Sequence, residues 1–190
     1  MNIKGKIVTL RAMEIEDQEM LRETINDPEI EKMIGGYSFP LSKEQQLNWF
    51  RSNLNNHNNI RLIIETAEDG AVGFANIVNI DWKNRTAFHG LKIANKKFRA
   101  RGIGTDTVMA IMKYAFEELQ LKRLDGTIIE YNEPSRRLYC DKCGWMVEGV
   151  RRKAVFKSNE YHDELIVGIL REEYFELLKK NNYWNKQDEQ

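Results

Sequence analysis

The sequence is poor in the residues that most often announce a chemistry. Among 190 residues there are two cysteines, three histidines and three prolines. Two cysteines, Cys140 and Cys143, cannot make a disulfide scaffold, and a zinc site at their C-x-x-C spacing would need two further ligands. His57, His89 and His162 stand apart in sequence and do not supply them. A thioredoxin-type pair would open a helix after a strand, whereas this pair falls late in a predicted helix, so two reduced thiols and no metal are expected. Excess charge is missing too. Lys+Arg and Asp+Glu are each 29, which argues against nucleic acid as the main partner. No apolar run approaches the roughly 20 residues of a membrane-spanning helix. The start, MNIKGKIVTLR, lacks the apolar segment of a signal peptide. A cytoplasmic protein with no membrane partner is expected, with one domain over 1–180 and a frayed tail over 181–190.

What is present is a basic, glycine-containing turn between a strand and a helix. Thr86 to Ile93 (TAFHGLKI) reads as a strand. Arg99-Ala100-Arg101-Gly102-Ile103-Gly104 follows, and Val108, Ile111, Met112, Ala115 and Leu119 then mark one face of an amphipathic helix. Such a turn suits an anion. Backbone N–H groups at the helix start point outward, the dipole is positive there, and glycine lets phosphate oxygens approach. Arg99 and Arg101 would add forked donors. The known phosphate signatures do not match: Gly104 is followed by Thr105-Asp106 rather than Lys-Ser/Thr, and Thr107 stands where a dinucleotide fingerprint needs its third glycine.

The remaining chain alternates short strands and helices. Lys6 to Arg11 is a first strand, and Glu16 to Asn26 a helix stopped near Pro28, with a short helical piece to Ile34. Gly35 to Pro40 is a loop. Ser42 with Gln45 makes a capping-box pattern ahead of the next helix. Arg61 to Thr66 and Ala71 to Ile80 are strands joined by a turn at Asp69-Gly70. After the long helix come a strand over Arg123 to Glu130, a short helix from Pro134 to about Lys142, strands over Trp145 to Phe156 and Tyr161 to Leu170, and a terminal helix over Glu172 to Lys180. The expected fold is α/β, a mixed and mostly antiparallel sheet of about seven strands flanked by helices.

A second motif, Asn132-Glu133-Pro134-Ser135-Arg136-Arg137-Leu138-Tyr139, follows the strand Thr127 to Glu130 and opens a helix. Together with Arg99 to Gly104 it resembles the GNAT superfamily of N-acetyltransferases, whose signatures are Arg/Gln-x-x-Gly-x-Gly/Ala and Asn-x-x-Ala/Ser-x-x-x-Tyr. The run Lys142 to Trp145 is similar to the family's Lys-x-Gly-Phe ending. Leu10-Arg11, Asn26 to Glu29, and Val147-Glu148-Gly149 through Tyr174 resemble the subgroup of ribosomal-protein alanine and spermidine N-acetyltransferases. The resemblance spans nearly the whole chain. It implies a single-domain GNAT fold with acetyl-CoA as cosubstrate and a primary amine as acceptor, either a protein N-terminus, a polyamine or an amino sugar. It also implies direct attack in a ternary complex, by a monomer or homodimer. A non-catalytic acyl-CoA sensor is the alternative.

Residue by residue, the resemblance implies that backbone at Leu91, Lys92 and Ile93 meets the pantetheine arm. Arg99, Ala100, Arg101, Gly102, Ile103, Gly104 and Thr105 would hold the pyrophosphate, and Asn132, with Ser135 capping the helix, would contact the pantetheine. Three departures stand out. Ala100 replaces a frequent glycine, Phe88 stands where many relatives carry glutamate, and one extra residue lies between Tyr139 and Gly144. Counted forward from Asn132, Tyr139 is in register; counted back from Gly144, Cys140 takes its place. Tyr139 is the expected proton donor to the leaving thiolate. His89 and Glu130 are both candidate bases, and a water chain is a third route. Strand alternation sets His89 on the face opposite Phe88 and Gly90.

Overall fold

The computed structural model describes residues 1–36 and 39–185. Tyr37 and Ser38 in the expected Gly35 to Pro40 loop, and 186–190 of the expected tail, lie outside them. Eight strands form one sheet: β1 (Ile3–Lys4), β2 (Val8–Ala12), β3 (Ile60–Thr66), β4 (Gly70–Asp81), β5 (Thr86–Ile93), β6 (Arg123–Ile129), β7 (Met146–Lys157) and β8 (Glu160–Leu170). Their order is β1-β2-β3-β4-β5-β6-β8-β7, and every pairing is antiparallel except β5 with β6. The sequence pointed to about seven strands. The eighth is β1, which pairs Ile3 with Leu10 and Lys4 with Thr9.

Two amphipathic layers cover the sheet. On one face lies α4 (Ile103–Lys113), buried without a break from Asp106 to Met112. Its Val108, Met109, Ile111 and Met112 join Leu10, Ile64, Ala75, Ile77 and Leu124 in the main core. Alternation turns Ile63 and Phe74 to the other face. There α1 (Gln18–Asn26), α2 (Pro28–Glu31) and α3 (Lys43–Ser52) bury Leu21, Ile30 and Phe50. Ser42 and Gln45 form the expected capping box at the start of α3, and the Asp69-Gly70 turn puts Gly70 at φ 69°, where glycine carries no Cβ penalty.

The parallel pair β5–β6 matters most for the site. It has register partners only at Thr86, Ala87 and Phe88. From His89 onward the two strands part, while β5 stays paired to β4 as far as Ile93. In an antiparallel ladder successive N–H groups face alternate sides. Ala94 N–H bonds Val72 O toward β4, so the N–H groups of Leu91 and Ile93 face the gap.

Two segments lengthen the helical turn. After α4, Tyr114–Glu118 forms a π-helix, and after α5 (Glu133–Arg136) a second one covers Arg137–Lys142. A π turn holds one residue more than an α turn. The second falls on the stretch where the chain carries its extra residue, and Trp145 N–H bonds Tyr139 O at 3.0 Å to close it. The insertion is therefore absorbed in the helix.

The C-terminal helix α6 (Arg171–Asn181) leads into Tyr183–Asn185, a 3-10 turn where a frayed tail was expected. Two bonds hold it: Tyr183 donates its hydroxyl to Asp106 at 2.8 Å, and Trp184 donates its indole N–H to the Tyr174 hydroxyl at 3.0 Å.

Candidate active site

A cavity of about 380 Å³ opens where β5 and β6 separate. Its lining joins Phe74 and Asn76 of β4, His89 to Lys92 of β5, Gly126 to Ile129 of β6 and Glu164 of β8. Met33 to Gly36 lie over it, and Asn132, Ser135 and Tyr139 close the end toward α5. Leu91, Lys92, Asn132, Ser135 and Tyr139, which sequence motifs single out, thus converge on one space.

Tyr139 is buried and lines the cavity, whereas Cys140 does not. The Tyr139 ring meets Trp145 edge-on at 5.0 Å between centroids and His89 at 5.7 Å. Its hydroxyl has no hydrogen-bond partner among the described residues. Burial raises its pKa well above the ordinary phenol value, with the neighbouring Cys143 adding to the effect. At neutral pH the phenol is protonated, and two rings hold it in place.

His89 is placed differently from the base that its residue type suggested. Its Nδ1 lies 2.7 Å from Asn76 O, so that nitrogen carries the proton and Nε2 the lone pair. Nε2 is sealed from solvent and has no partner among the described residues. Burial pushes the pKa down to about 4, against a smaller opposing effect of the Asn76 carbonyl. A neutral imidazole with its lone pair shut away behind Tyr139 and Trp145 supports the ring stack and has no path to an acceptor amine. Glu130 is also displaced from the expected role. Its exposed carboxylate faces His162 Nδ1 at 3.3 Å, and it does not line the cavity.

Asn132 is buried and doubly engaged. Its Oδ1 accepts from Ser135 N–H at 3.1 Å, capping α5, and its Nδ2 donates to Met33 O at 2.7 Å. In this arrangement it ties the roof of the cavity to the helix carrying Tyr139. Two charged residues of the cavity wall escaped the sequence reading as side chains. Glu164 is buried, accepts from Arg151 Nη1 at 2.7 Å, and pairs in register with Ile129. Lys92, expected to contribute backbone only, has a half-buried side chain whose ammonium pKa is lowered by burial. The available signal was a single charge within an otherwise apolar strand, in ELIVGIL and in TAFHGLKI.

The anion loop lies beyond the end of β5. Phe98 is its buried anchor, Ala100 takes φ 60° and Gly102 φ 82°. The first bond into α4 runs from Asp106 N–H to Gly102 O at 3.0 Å. Ile103, Gly104 and Thr105 N–H find no backbone acceptor among the described residues, so three adjacent donors point outward. Exposed Arg99 has no carboxylate partner among those residues. Arg101, expected to act alongside it, instead pairs with Glu68 at 2.6 Å and Asp69 at 2.9 Å, pinning the loop to the β3–β4 turn. A Cβ on Gly104 would lie 3.2 Å from a Leu138 methyl, so this glycine also lets α4 approach the Tyr139 segment. Free donors, a free arginine and a close glycine fit a phosphate ester. Among the described residues no group of His, Cys, Asp and Glu could hold a metal, and no helix is long and apolar enough to cross a membrane.

Comparison with known proteins adds the family. Residues 8–145 match the model of the acetyltransferase (GNAT) domain. The chain is 29% identical over 170 residues to the SPbeta prophage-derived uncharacterized N-acetyltransferase YokL of Bacillus subtilis (strain 168), covering 90% of this chain and 93% of that one. It is 27% identical over 174 residues to the uncharacterized N-acetyltransferase YnaD of the same organism, covering 92% and 99%. Among solved structures, spermidine N-acetyltransferase from Vibrio cholerae, in complex with CoA and spermine, shares the fold with a TM-score of 0.82 at 21% identity, covering 88% of this chain and 98% of that one. The phosphate-fitting loop, the splayed strands and the matching domain together place this chain in the GNAT family of acetyltransferases, enzymes whose cosubstrate is acetyl-CoA.

Proposed function

We propose that the protein transfers an acetyl group to a primary amine by direct attack in a ternary complex, with Tyr139 as the proton donor. Acetyl-CoA supplies the activated acyl thioester. The outward N–H groups of Ile103, Gly104 and Thr105, with Arg99, bind its phosphates. The N–H groups of Leu91 and Ile93, freed where β5 leaves β6, are the donors available to a thioester carbonyl, in the manner of an oxyanion hole. The observation that carries the reading is the Tyr139 hydroxyl, protonated and unpaired in the cavity wall. Neither side chain expected as a base meets the requirements: His89 is sealed and Glu130 is outside the cavity. Water therefore takes the amine proton out to solvent.

Tyr139→Phe tests this reading. It keeps the ring contacts with His89 and Trp145 and removes only the donor. We expect kcat to fall by roughly 10²- to 10⁴-fold, the span of a positioned acid. The lower end is favoured because a thiolate of reference pKa about 8.5 already leaves well. Acetyl-CoA affinity is expected to hold, since the hydroxyl acts mainly in the transition state. Steady-state CoA release beside a thermal melt reads both. A folded variant with wild-type kcat ends the acid assignment.

A further inference from the structure

We infer that the acceptor is an amine that also carries an anionic group, a carboxylate or phosphate, recognised by Lys92; this rests on the N-acetyltransferase reading above. The ionisable residues lining the cavity are His89, Lys92, Tyr139 and Glu164. His89 and Tyr139 are neutral near pH 7, because burial lowers the first and raises the second. That leaves one cation and one anion, and they differ in how they are satisfied. Glu164 is already paired with Arg151. The Lys92 ammonium has no ion pair and no hydrogen bond among the described residues, although the side chain is half-buried.

The register fixes where that side chain points. Lys92 pairs with Phe74, and Gly90 with Asn76, so Lys92, Gly90 and Phe88 share one face of β5 with Phe74 and Asn76 opposite. All five line the cavity. The groups around the ammonium are thus aromatic or neutral, and a half-buried ammonium without a counter-ion is costly. An anion on the acceptor removes that cost. A polyamine does the reverse, setting two or more ammonium groups against Lys92. The second wall suits the reacting end. Glu164 uses Oε2 for Arg151, and Oε1 lies 3.5 Å from where a Cβ on Gly35 would stand, beneath the cavity roof. Oε1 is free to accept an amine N–H.

Matched acceptors differing only in the anion test the inference. CoA release is measured with β-alanine and β-alaninamide, phosphoethanolamine and ethanolamine, phenylalanine and its amide, and spermidine. Each kcat/KM is expressed per fraction of neutral amine. The wild type is expected to prefer the anionic member of at least one pair by about tenfold or more, the effect of one charge-assisted hydrogen bond. Lys92→Met should bring that ratio close to one, while Lys92→Arg should retain it. Equal rates within every pair, a higher kcat/KM for spermidine than for any anionic amine, or an unchanged ratio in Lys92→Met overturns the inference. If no amine is acetylated, the transferase reading fails, and Lys92 is still read separately. Calorimetry of CoA-loaded protein with N-acetyl-β-alanine and N-acetyl-β-alaninamide should then show preference for the anionic product in wild type and Lys92→Arg and none in Lys92→Met. The absence of any such preference in wild type refutes the anion site directly.

Discussion

Asp106 is the most heavily bonded side chain near the anion loop, and Asp106→Asn measures what it holds. Its Oδ1 accepts from Lys6 N–H at 2.9 Å and the Tyr183 hydroxyl at 2.8 Å; Oδ2 accepts from Ile7 N–H at 2.7 Å and Val8 N–H at 2.9 Å. One carboxylate thus ties the segment between β1 and β2, the first turn of α4 and the C-terminal turn together. The fit is tight, since a Cβ on Gly5 would lie 2.3 Å from Oδ2. Asparagine has the same shape but replaces one acceptor oxygen by a donor. With the amide nitrogen at the Oδ1 position, Lys6 N–H loses its acceptor while the Tyr183 hydroxyl can turn to accept; at the Oδ2 position, Ile7 and Val8 N–H both lose theirs. Hydrogen bonds to a charged acceptor each contribute about 1.5–3 kcal/mol. One lost bond, and three weakened because a neutral amide replaces the charged carboxylate, give a gross cost of about 3–6 kcal/mol, reduced because the amide is cheaper to bury than the carboxylate. A net loss of about 3 kcal/mol follows, or about 6–12 °C in Tm for a chain of this size. Urea denaturation with an unchanged slope, checked by a melt, is the measurement. Removing a negative charge beside an anion site would on its own favour phosphate, so a higher KM for acetyl-CoA reports displaced backbone. A folded Asp106→Asn protein within about 0.5 kcal/mol of wild type, the usual size of a neutral surface substitution, refutes the account.

Two further outcomes follow from His89 and Gly104. Burial holds His89 near pKa 4 in the folded chain against an ordinary 6.5 in the unfolded one, so between those pH values the unfolded chain binds a proton that the folded chain does not. Stability from this residue is full above pH 6.5 and falls by about 3 kcal/mol as pH drops toward 4; urea titrations from pH 4 to 7 should show His89→Leu losing that part of the slope, and an identical slope in both proteins refutes it. Gly104→Val places a branched side chain at the helix start without the left-handed strain that would confuse the same change at Gly102. Leu138 and the start of α4 must shift apart to admit it, and acetyl-CoA affinity read by calorimetry is expected to fall by about tenfold or more as the N–H donors move off the phosphate; unchanged affinity removes Gly104 from the loop's working part.

Much of this site is legible in the sequence because its parts are local. A strand, a glycine-bearing turn and a helix start are contiguous from Thr86 to Met112, and the Asn132 to Tyr139 stretch is eight residues that cap and open a second helix. Their periodicities, two and 3.6, show before any tertiary contact is known. Parts that depend on distant partners do not show. Asp106 looks like an ordinary acid in a first turn until Lys6 to Val8 arrive beside it, a hundred residues away in sequence. The same contacts divert the N–H groups of that segment from sheet pairing, so the expected strand from Lys6 begins only at Val8, with the short β1 preceding it. Arg101 reads as a phosphate ligand because the charges of the β3–β4 turn, which claim it, lie over thirty residues upstream.

The roof of the cavity and the proposed acid share an anchor. Among the described residues, the Lys157 ammonium on the Glu31 carboxylate, the Tyr131 hydroxyl on Lys32 O, and Asn132 Nδ2 on Met33 O hold the roof. Lys157 is buried, so breaking its pair would strand a charge in low dielectric. Only Asn132 faces both ways, because its other amide atom caps the helix that continues through Tyr139. A shift of the roof that drew Met33 away would pull on that cap. The extra residue in the π segment is then tolerable for a physical reason. It lies between the capped start of the helix and the Trp145-to-Tyr139 backbone bond at its end, so both ends of the turn bearing Tyr139 are fixed independently of its length.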